Sequence, residues 1–433
     1  MPRIILFSLI IFCMVPFAWS DDDLVGVSGI IERIEVQGST KIREGFIRRE
    51  ITLKPGENFN LEQAMESKNN LLRNLKYIES VNLYIEPGQE GKLIVIFEIE
   101  ETKSKTLILG AGYDEEEKIF GSLQVWYENF LHRGMKLGIE LKSGDNINCK
   151  SLTIYEPWLF HTPHSFKFKI YSDEYKRIQS PYEGKGEYWI DRDGTMVEFG
   201  KRAIFKNITL MLRYRNEDVH LSDFVSQEIT KKDAEINSLI THLEFDTRRF
   251  QHIEGKYELA FEDYDTTWLN PISGKKYELL IEAVNDFLGA DYSFNKWTLN
   301  LNQYLKLSDR QVVALFGKGG YIAGDAPFYE RFYVGGEDTI RGYKERGLTE
   351  IGGNKFLVLT TEYRLGLTKF IQGVLFADAG YAWEKGTKVN LDDLECGVGT
   401  GLRIHHSLIG NVNINLGYGL GKKQWEIHIN TGE

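Results

Sequence analysis

From Thr106 to its end the chain alternates apolar and polar residues with a period of two, in runs of about ten residues. Met135, Leu137, Ile139 and Leu141 interleave with Lys136, Gly138, Glu140 and Lys142, and Phe166, Phe168 and Ile170 with Lys167 and Lys169. Ile208, Leu210, Leu212 and Tyr214 interleave with Thr209, Arg213 and Arg215, and Trp297, Leu299 and Leu301 with Thr298, Asn300 and Asn302. Val412, Ile414, Leu416, Tyr418 and Leu420 alternate with asparagines and glycines. A soluble sandwich also alternates, but it needs neither ten-residue strands so often nor aromatic residues at so many strand ends. Length, period and aromatic ends together predict an all-β transmembrane barrel over 104–433. About 328 residues at roughly twenty per strand and connection predict sixteen antiparallel strands. Twelve candidate runs precede the long segment around residue 341 and five follow it, one too many for an even barrel. The run 235–245 is the one assigned instead to a long extracellular loop.

Residues 30–103 follow a different pattern. Ile30, Ile34 and Val36 mark a strand; after Gly38-Ser39-Thr40 comes a short helical stretch with Ile42, Phe46 and Ile47 on one face. A second helix follows Lys54-Pro55-Gly56, with Asn60 as N-cap, Gln63 three residues on, and Leu61, Ala64, Met65, Leu71 and Leu72 along it. Val81, Leu83 and Ile85, then Leu93 to Ile99 after Pro87-Gly88, read as two closing strands. This order predicts a small α+β domain near the lower limit for independent folding.

The first twenty residues hold Arg3, an apolar run from Ile4 to Phe17, and Ala18-Trp19-Ser20 before three aspartates, which reads as a cleaved signal peptide followed by a tail over 21–29. A retained membrane anchor is the other reading of the same run. Cys13 leaves with the signal, and the remaining cysteines, Cys149 and Cys396, form no framework. Beyond Asp21 no apolar stretch reaches the roughly twenty residues of a spanning helix, which excludes a helical membrane protein. With 42 Gly, 9 Pro, 22 Tyr and 25 Phe, the composition suits many strands and aromatic girdles. The net charge of -11 is spread along the chain, which argues against a nucleic-acid partner.

The segment Phe328 to Leu348 reads FYERFYVGGEDTIRGYKERGL. Arg341-Gly342-Tyr343 stands far from either flanking strand, and a guanidinium held away from water needs a partner. Strand parity supplies candidates. In 372–383, Val374, Phe376, Asp378 and Gly380 share one face, opposite Leu375, Ala377, Ala379, Tyr381 and Trp383. A charge facing lipid is costly, so Asp378 faces the lumen; the same test turns Glu362, Arg364, Glu395, Gly399, Gly401 and Arg403 inward. The bland reading is a wet lumen that tolerates any polar residue. The sharper one pairs Arg341 with Asp378, with Phe376 and Tyr343 packed around the pair and the glycines leaving room for the loop.

Two resemblances follow from these residues. Residues 30–103, from Ile-Glu-Arg-Ile-Glu-Val-Gln-Gly to Phe97-Glu98-Ile99-Glu100-Glu101, resemble a POTRA domain, which implies either a strand edge offered to client chains or a rigid periplasmic spacer. The runs GGEDTIRGY, GGNKFLVLTTEYRLGL, FADAGYAW and GVGTGLRIHHSLIGNVNINLGYGL resemble the superfamily of outer-membrane assembly and transport barrels that includes BamA, TamA and the two-partner secretion transporters, the bacterial surface antigen family. In that family the loop arginine is held by the aspartate of the Phe-x-Asp-x-Gly strand, which maps onto Arg341 and Asp378. Departures are a single POTRA-like domain, no plug helix before it, and an end at Trp425-Glu-Ile-His-Ile-Asn-Thr-Gly-Glu with no terminal aromatic.

The resemblance implies outer-membrane residence and a non-enzymatic role in inserting or assembling proteins, or lipids, there. The seam would lie between the first barrel strand (around Leu107 to Tyr113) and the last (around Trp425 to Ile429). Its implied partners are outer-membrane lipids, unfolded outer-membrane clients and periplasmic accessory proteins. A secretion pore for a dedicated partner and a simple channel are the alternatives. No Gly-x-Ser-x-Gly, His-Glu-x-x-His or phosphate loop points to an enzyme, no metal or cofactor is expected, and His405-His406 falls at a periplasmic turn.

Overall fold

The computed structural model describes residues 28–38, 44–75, 78–101, 105–114, 116–131, 134–179, 186–205, 207–222, 233–253, 266–349, 352–368, 370–406 and 410–432. The signal-peptide reading of residues 1–20 lies outside them.

The small domain holds strands β1 (Ile31–Gln37), β2 (Ile78–Pro87) and β3 (Leu93–Glu101) and helices α1 (Glu44–Arg48) and α2 (Leu61–Asn74). The sheet order is β1-β3-β2, with β1 parallel and β2 antiparallel to the central β3. Asn60 Oδ1 accepts from the N–H groups of Glu62 and Gln63, satisfying two donors that the first turn of α2 cannot pair internally. Helix and sheet close over Ile34, Ile47, Leu71, Val95 and Phe97, all buried. Both β1 and β2 keep one edge free of sheet partners among the described residues.

Eighteen strand segments close the barrel. They are β4 (Lys105–Asp114), β5 (Lys118–Phe130), β6 (Met135–Gly144), β7 (Ile147–Glu156), β8 (His164–Gln179), β9 (Gly186–Phe205), β10 (Ile208–Ser222), β11 (Asp233–Glu235) and β12 (Ser238–Asp246). They continue with β13 (Arg249–Ile253), β14 (Thr266–Val284), β15 (Phe294–Ser308), β16 (Gln311–Gly324), β17 (Lys355–Gly366), β18 (Ile371–Trp383), β19 (Glu395–His406), β20 (Gly410–Gly419) and β21 (Gln424–Gly432). Because β11 and β12 both pair with β10, and β12 and β13 both pair with β14, the segments form sixteen staves.

The run 235–245, expected in an extracellular loop, is a stave: β12 ladders to β10 on one side and β14 on the other over its whole length. Leu239 and Leu243 face outward, while His242 and Glu244 turn inward beside Lys276 and Glu278 of β14. Thr241 interrupts the outward apolar face, and the alternation is therefore weak. Full backbone pairing is what a strand surrounded by lipid requires, and β12 has it on both edges. Eleven staves now precede the Arg341 loop and five follow it, so the loop leaves an odd stave, at the end of the barrel opposite the small domain.

Outward positions carry the apolar residues. Leu107, Leu109, Leu375 and Ile427 are 59–63% exposed, as lipid-facing side chains must be in a lone chain. Trp383 shares their parity but is buried, its Nε1 donating to Asp393 at 2.8 Å, because the 384–394 connection folds over it. Strands β8 to β10 run 15–20 residues, longer than the roughly ten needed to cross. Their outward faces change from Phe168-Ile170, Val197 and Tyr214 to Ser172-Glu174, Asp193-Asp191 and Asn216-Asp218 along paired positions, which marks where they leave the apolar band. At the opposite rim, Trp158 in the β7–β8 turn donates its Nε1–H to Glu50 of the small domain at 2.6 Å, and Arg49 stacks on Phe46 beside it.

Candidate lumen-loop site

Residues 325–349 of the β16–β17 connection fold into the barrel. The connection doubles back on itself, with Phe332 bridged to Gly353 and the Leu348 N–H bonded to the Val334 carbonyl at 3.1 Å. Gly335 and Gly336 have φ of 114° and 100°, a left-handed turn that side-chain-bearing residues resist, and Thr339 Oγ1 accepts from the Gly335 N–H. Val334, Ile340 and Tyr343 are fully buried against Val358 and Ala382 of the wall.

Arg341 is 4% exposed. Its Nε and Nη2 donate to the two oxygens of Asp378, each at 2.8 Å, and its backbone N–H adds a third bond to the same carboxylate at 3.0 Å. Nη1 donates to Glu362 Oε1 at 2.6 Å, and the guanidinium lies 3.6 Å from the Phe376 ring centroid. A planar fork facing a carboxylate and stacked on a ring is a fit that arginine makes and lysine does not. Glu362 also takes bonds from Arg364 Nε at 2.8 Å and Arg403 Nη2 at 3.3 Å. The charge cluster therefore spans β17, β18 and β19.

Tyr343 serves another part of the wall than the ion pair around which sequence placed it. Its hydroxyl donates to Glu395 at 2.7 Å and accepts from the Gly421 N–H at 2.9 Å. Gly342, with φ of 92°, redirects the chain between the two anchors. A Cβ on Gly342 would meet the Gly419 nitrogen at 2.5 Å, and one on Gly417 would meet the Gly342 nitrogen at 2.4 Å. A Cβ on Gly397 would meet the Arg341 carbonyl at 1.9 Å. The floor beneath the loop is thus Gly397, Gly417 and Gly419. Of the glycines singled out from sequence, Gly399 gives way to the β20 backbone and Phe376, Gly401 to Asn415 and Gly380 to the β17 backbone.

Parity also carries residues that sequence reading passed over. Asn415 and His428 are completely buried on the lumen faces of β20 and β21. Asn415 accepts from Arg403 at 2.7 Å and donates to Glu337 of the loop at 3.0 Å, and His428 Nε2 accepts from the Gly342 N–H at 3.1 Å. Their signal was available: the outward triad Trp425, Ile427 and Ile429 leaves His428 inside. A second anchor had no such signal. Glu330, 5% exposed at the start of the loop, accepts from Arg192 at 2.9 Å, and Lys296 Nζ donates to the Glu330 carbonyl at 2.9 Å. Arg192 also meets Glu217 at 2.8 Å.

The arrangement fastens a backbone segment to the wall through paired charges. Another lumen cluster, His242, Glu244 and Glu278, has metal-ligand residue types, but Lys276 Nζ already sits 3.2 Å from Glu244 and 2.9 Å from Glu278. His405 and His406 end β19 at the rim nearer the small domain.

Comparisons with known proteins bear on this geometry. Residues 129–432 match the Omp85 superfamily domain, and residues 29–102 match the POTRA family described as a surface antigen variable number repeat. The outer membrane protein assembly factor BamA of Nitratidesulfovibrio vulgaris is 24% identical over 417 residues, covering 90% of this chain and 48% of its own. BamA of Neisseria meningitidis serogroup B is 22% identical over 397 residues, covering 82% and 47%. The chain thus spans about half the length of these curated relatives. Among solved structures, Haemophilus ducreyi BamA lacking POTRA domains 1–3 superposes with a TM-score of 0.63 at 15% identity, covering 93% of this chain and 84% of that one. CdiB from Escherichia coli gives 0.66 at 14%, covering 93% and 76%. The two curated relatives are named as outer membrane protein assembly factors, and the structural likenesses speak for the fold. With a sixteen-stave barrel, a lumen-folded loop and a domain match over well more than half its residues, the chain belongs to the Omp85 superfamily, as an outer-membrane β-barrel with a periplasmic POTRA domain.

Proposed function

We propose that this protein assists the insertion or assembly of β-barrel proteins in the outer membrane. The observation that carries the reading is the boundary between β4 and β21. The barrel closes there, but the two strands make the thinnest contact of any neighbouring staves among the described residues. Every other neighbouring pair of staves carries a registered ladder among the described residues, some interrupted by a bulge, from β4–β5 round to β20–β21. Backbone N–H and C=O groups that lack partners in lipid are costly, so a thin seam favours any strand that adds to it. A client strand would pair with that edge, and the free edges of the POTRA sheet, on β1 and β2, would hold clients on the way. The loop held through Arg341 and Asp378 keeps the lumen filled while the seam works.

The test is depletion of the protein followed by comparison of the outer-membrane proteome. The expected outcome is a loss of barrel proteins as a class. An intact proteome with one secreted protein missing from the medium would replace this reading with secretion of a dedicated partner. An intact proteome and secretome, with steady conductance in planar bilayers, would replace it with a channel.

A further inference from the structure

The stretch Gly342–Gly347 touches both sides of the β4/β21 boundary. On the β21 side, the Gly342 N–H donates to His428 Nε2 at 3.1 Å, and Lys422 Nζ in the β20–β21 turn donates to the Gly347 carbonyl at 2.7 Å. On the β4 side, Arg346 Nε lies 3.0 Å from Glu116 Oε1 in the β4–β5 turn. Glu116 is itself fixed from behind: its carboxylate accepts from Arg177 and its carbonyl from Asn146, each at 2.7 Å.

We propose that this stretch is a clasp across the seam, with Arg346 and Gly347 fastening the first and last hairpins to one another and His428 fastening the last strand to the loop tip. The inference rests on the seam reading above and adds the residues that hold the seam shut. Arg346 and Gly347 are consecutive, and adjacent Cα atoms stay about 3.8 Å apart. The two hairpins therefore cannot part by more than side-chain slack without breaking one of these bonds. His428 Nε2 is the acceptor that this buried N–H meets. A side chain with no acceptor there leaves a buried N–H unpaired. Release of the loop thus precedes opening of the seam.

The test is hydrogen–deuterium exchange on the full-length protein in detergent, read over residues 105–113 and 424–432, with heat-modifiable gel migration to verify a folded barrel. In His428→Leu, exchange in both segments is expected to rise about tenfold while β17 and β18 stay unchanged. Arg346→Glu, which sets two carboxylates together, is expected to give about fivefold. His428→Gln keeps an acceptor and is expected to stay near wild type. Wild-type exchange in both Arg346→Glu and His428→Leu overturns the clasp, as does equal acceleration in His428→Gln and His428→Leu. If His428→Leu does not fold, Arg346→Glu and Lys422→Met at the exposed rim carry the same test. Client assembly is measured in parallel. Faster exchange with unaltered assembly keeps the clasp and overturns the assembly reading, whereas unchanged exchange overturns the clasp whatever assembly shows.

Discussion

Replacing Arg341 with alanine removes the group on which the loop's position depends. The guanidinium makes three charge-assisted side-chain bonds, two to Asp378 and one to Glu362, from a site 4% exposed. Glu362 keeps Arg364 and Arg403 as partners. Asp378, whose side chain is completely buried, keeps only the backbone N–H of residue 341 as a partner among the described residues. Leaving one member of a buried pair uncompensated costs about 3–5 kcal/mol, so Arg341→Ala is expected to lower the heat-modifiable unfolding transition by roughly 10 °C. If the penalty is the orphaned carboxylate, removing that carboxylate as well must relieve it. Arg341→Ala/Asp378→Ala is therefore expected to unfold at a higher temperature than Arg341→Ala alone. Arg341→Lys should fall between wild type and alanine, since an ammonium keeps the charge but not the fork. The assay is the temperature at which the compact gel species disappears. A single variant with the wild-type transition, or a double variant no better than the single, would refute the reasoning.

Two further outcomes follow from the loop's other contacts. Gly397→Ala places a methyl group 1.9 Å from the Arg341 carbonyl, a backbone atom with no rotamer to escape through, so the loop must lift. Faster cleavage of the 332–348 segment by added protease, with the barrel still compact on gels, is the expected result. Glu330→Ala leaves Arg192 with Glu217 but deprives Lys296 of the nearby carboxylate, and should expose the start of the loop to protease while Arg341 stays protected. Equal protection of both segments in that variant would show that the second anchor holds nothing.

The parts of this molecule that were legible in sequence are those on which solvent imposes a period. Lipid outside and a charged lumen inside force alternation, and the same parity that defines the strands turns Asp378, Glu362, Arg364 and Arg403 inward. Asp378 was a traceable partner because opposite charges name each other. His428 sits on an equally readable face, but its bond is to a backbone N–H, and nothing in a sequence marks which peptide group will arrive there. Arg192 and Glu330 stand 138 residues apart, and either had many partners of the right sign. β12 was missed for a different reason. A threonine in its outward face and charges along its inner one resemble a loop until strands on both sides claim its backbone.

The bond from Trp158 to Glu50 has a mechanical meaning. The POTRA domain joins the barrel covalently between Glu101 and Lys105, beside the first stave, and the indole grips it again at the turn between the fourth and fifth staves. A body hung from one thread can swivel, but one pinned at two separated points on a rim can only tilt about the line between them. While that bond holds, swinging about the line from the foot of β4 to Trp158 would strain the two attachments least. A load drawn down on the sheet would reach the barrel as leverage on the wall beside the seam.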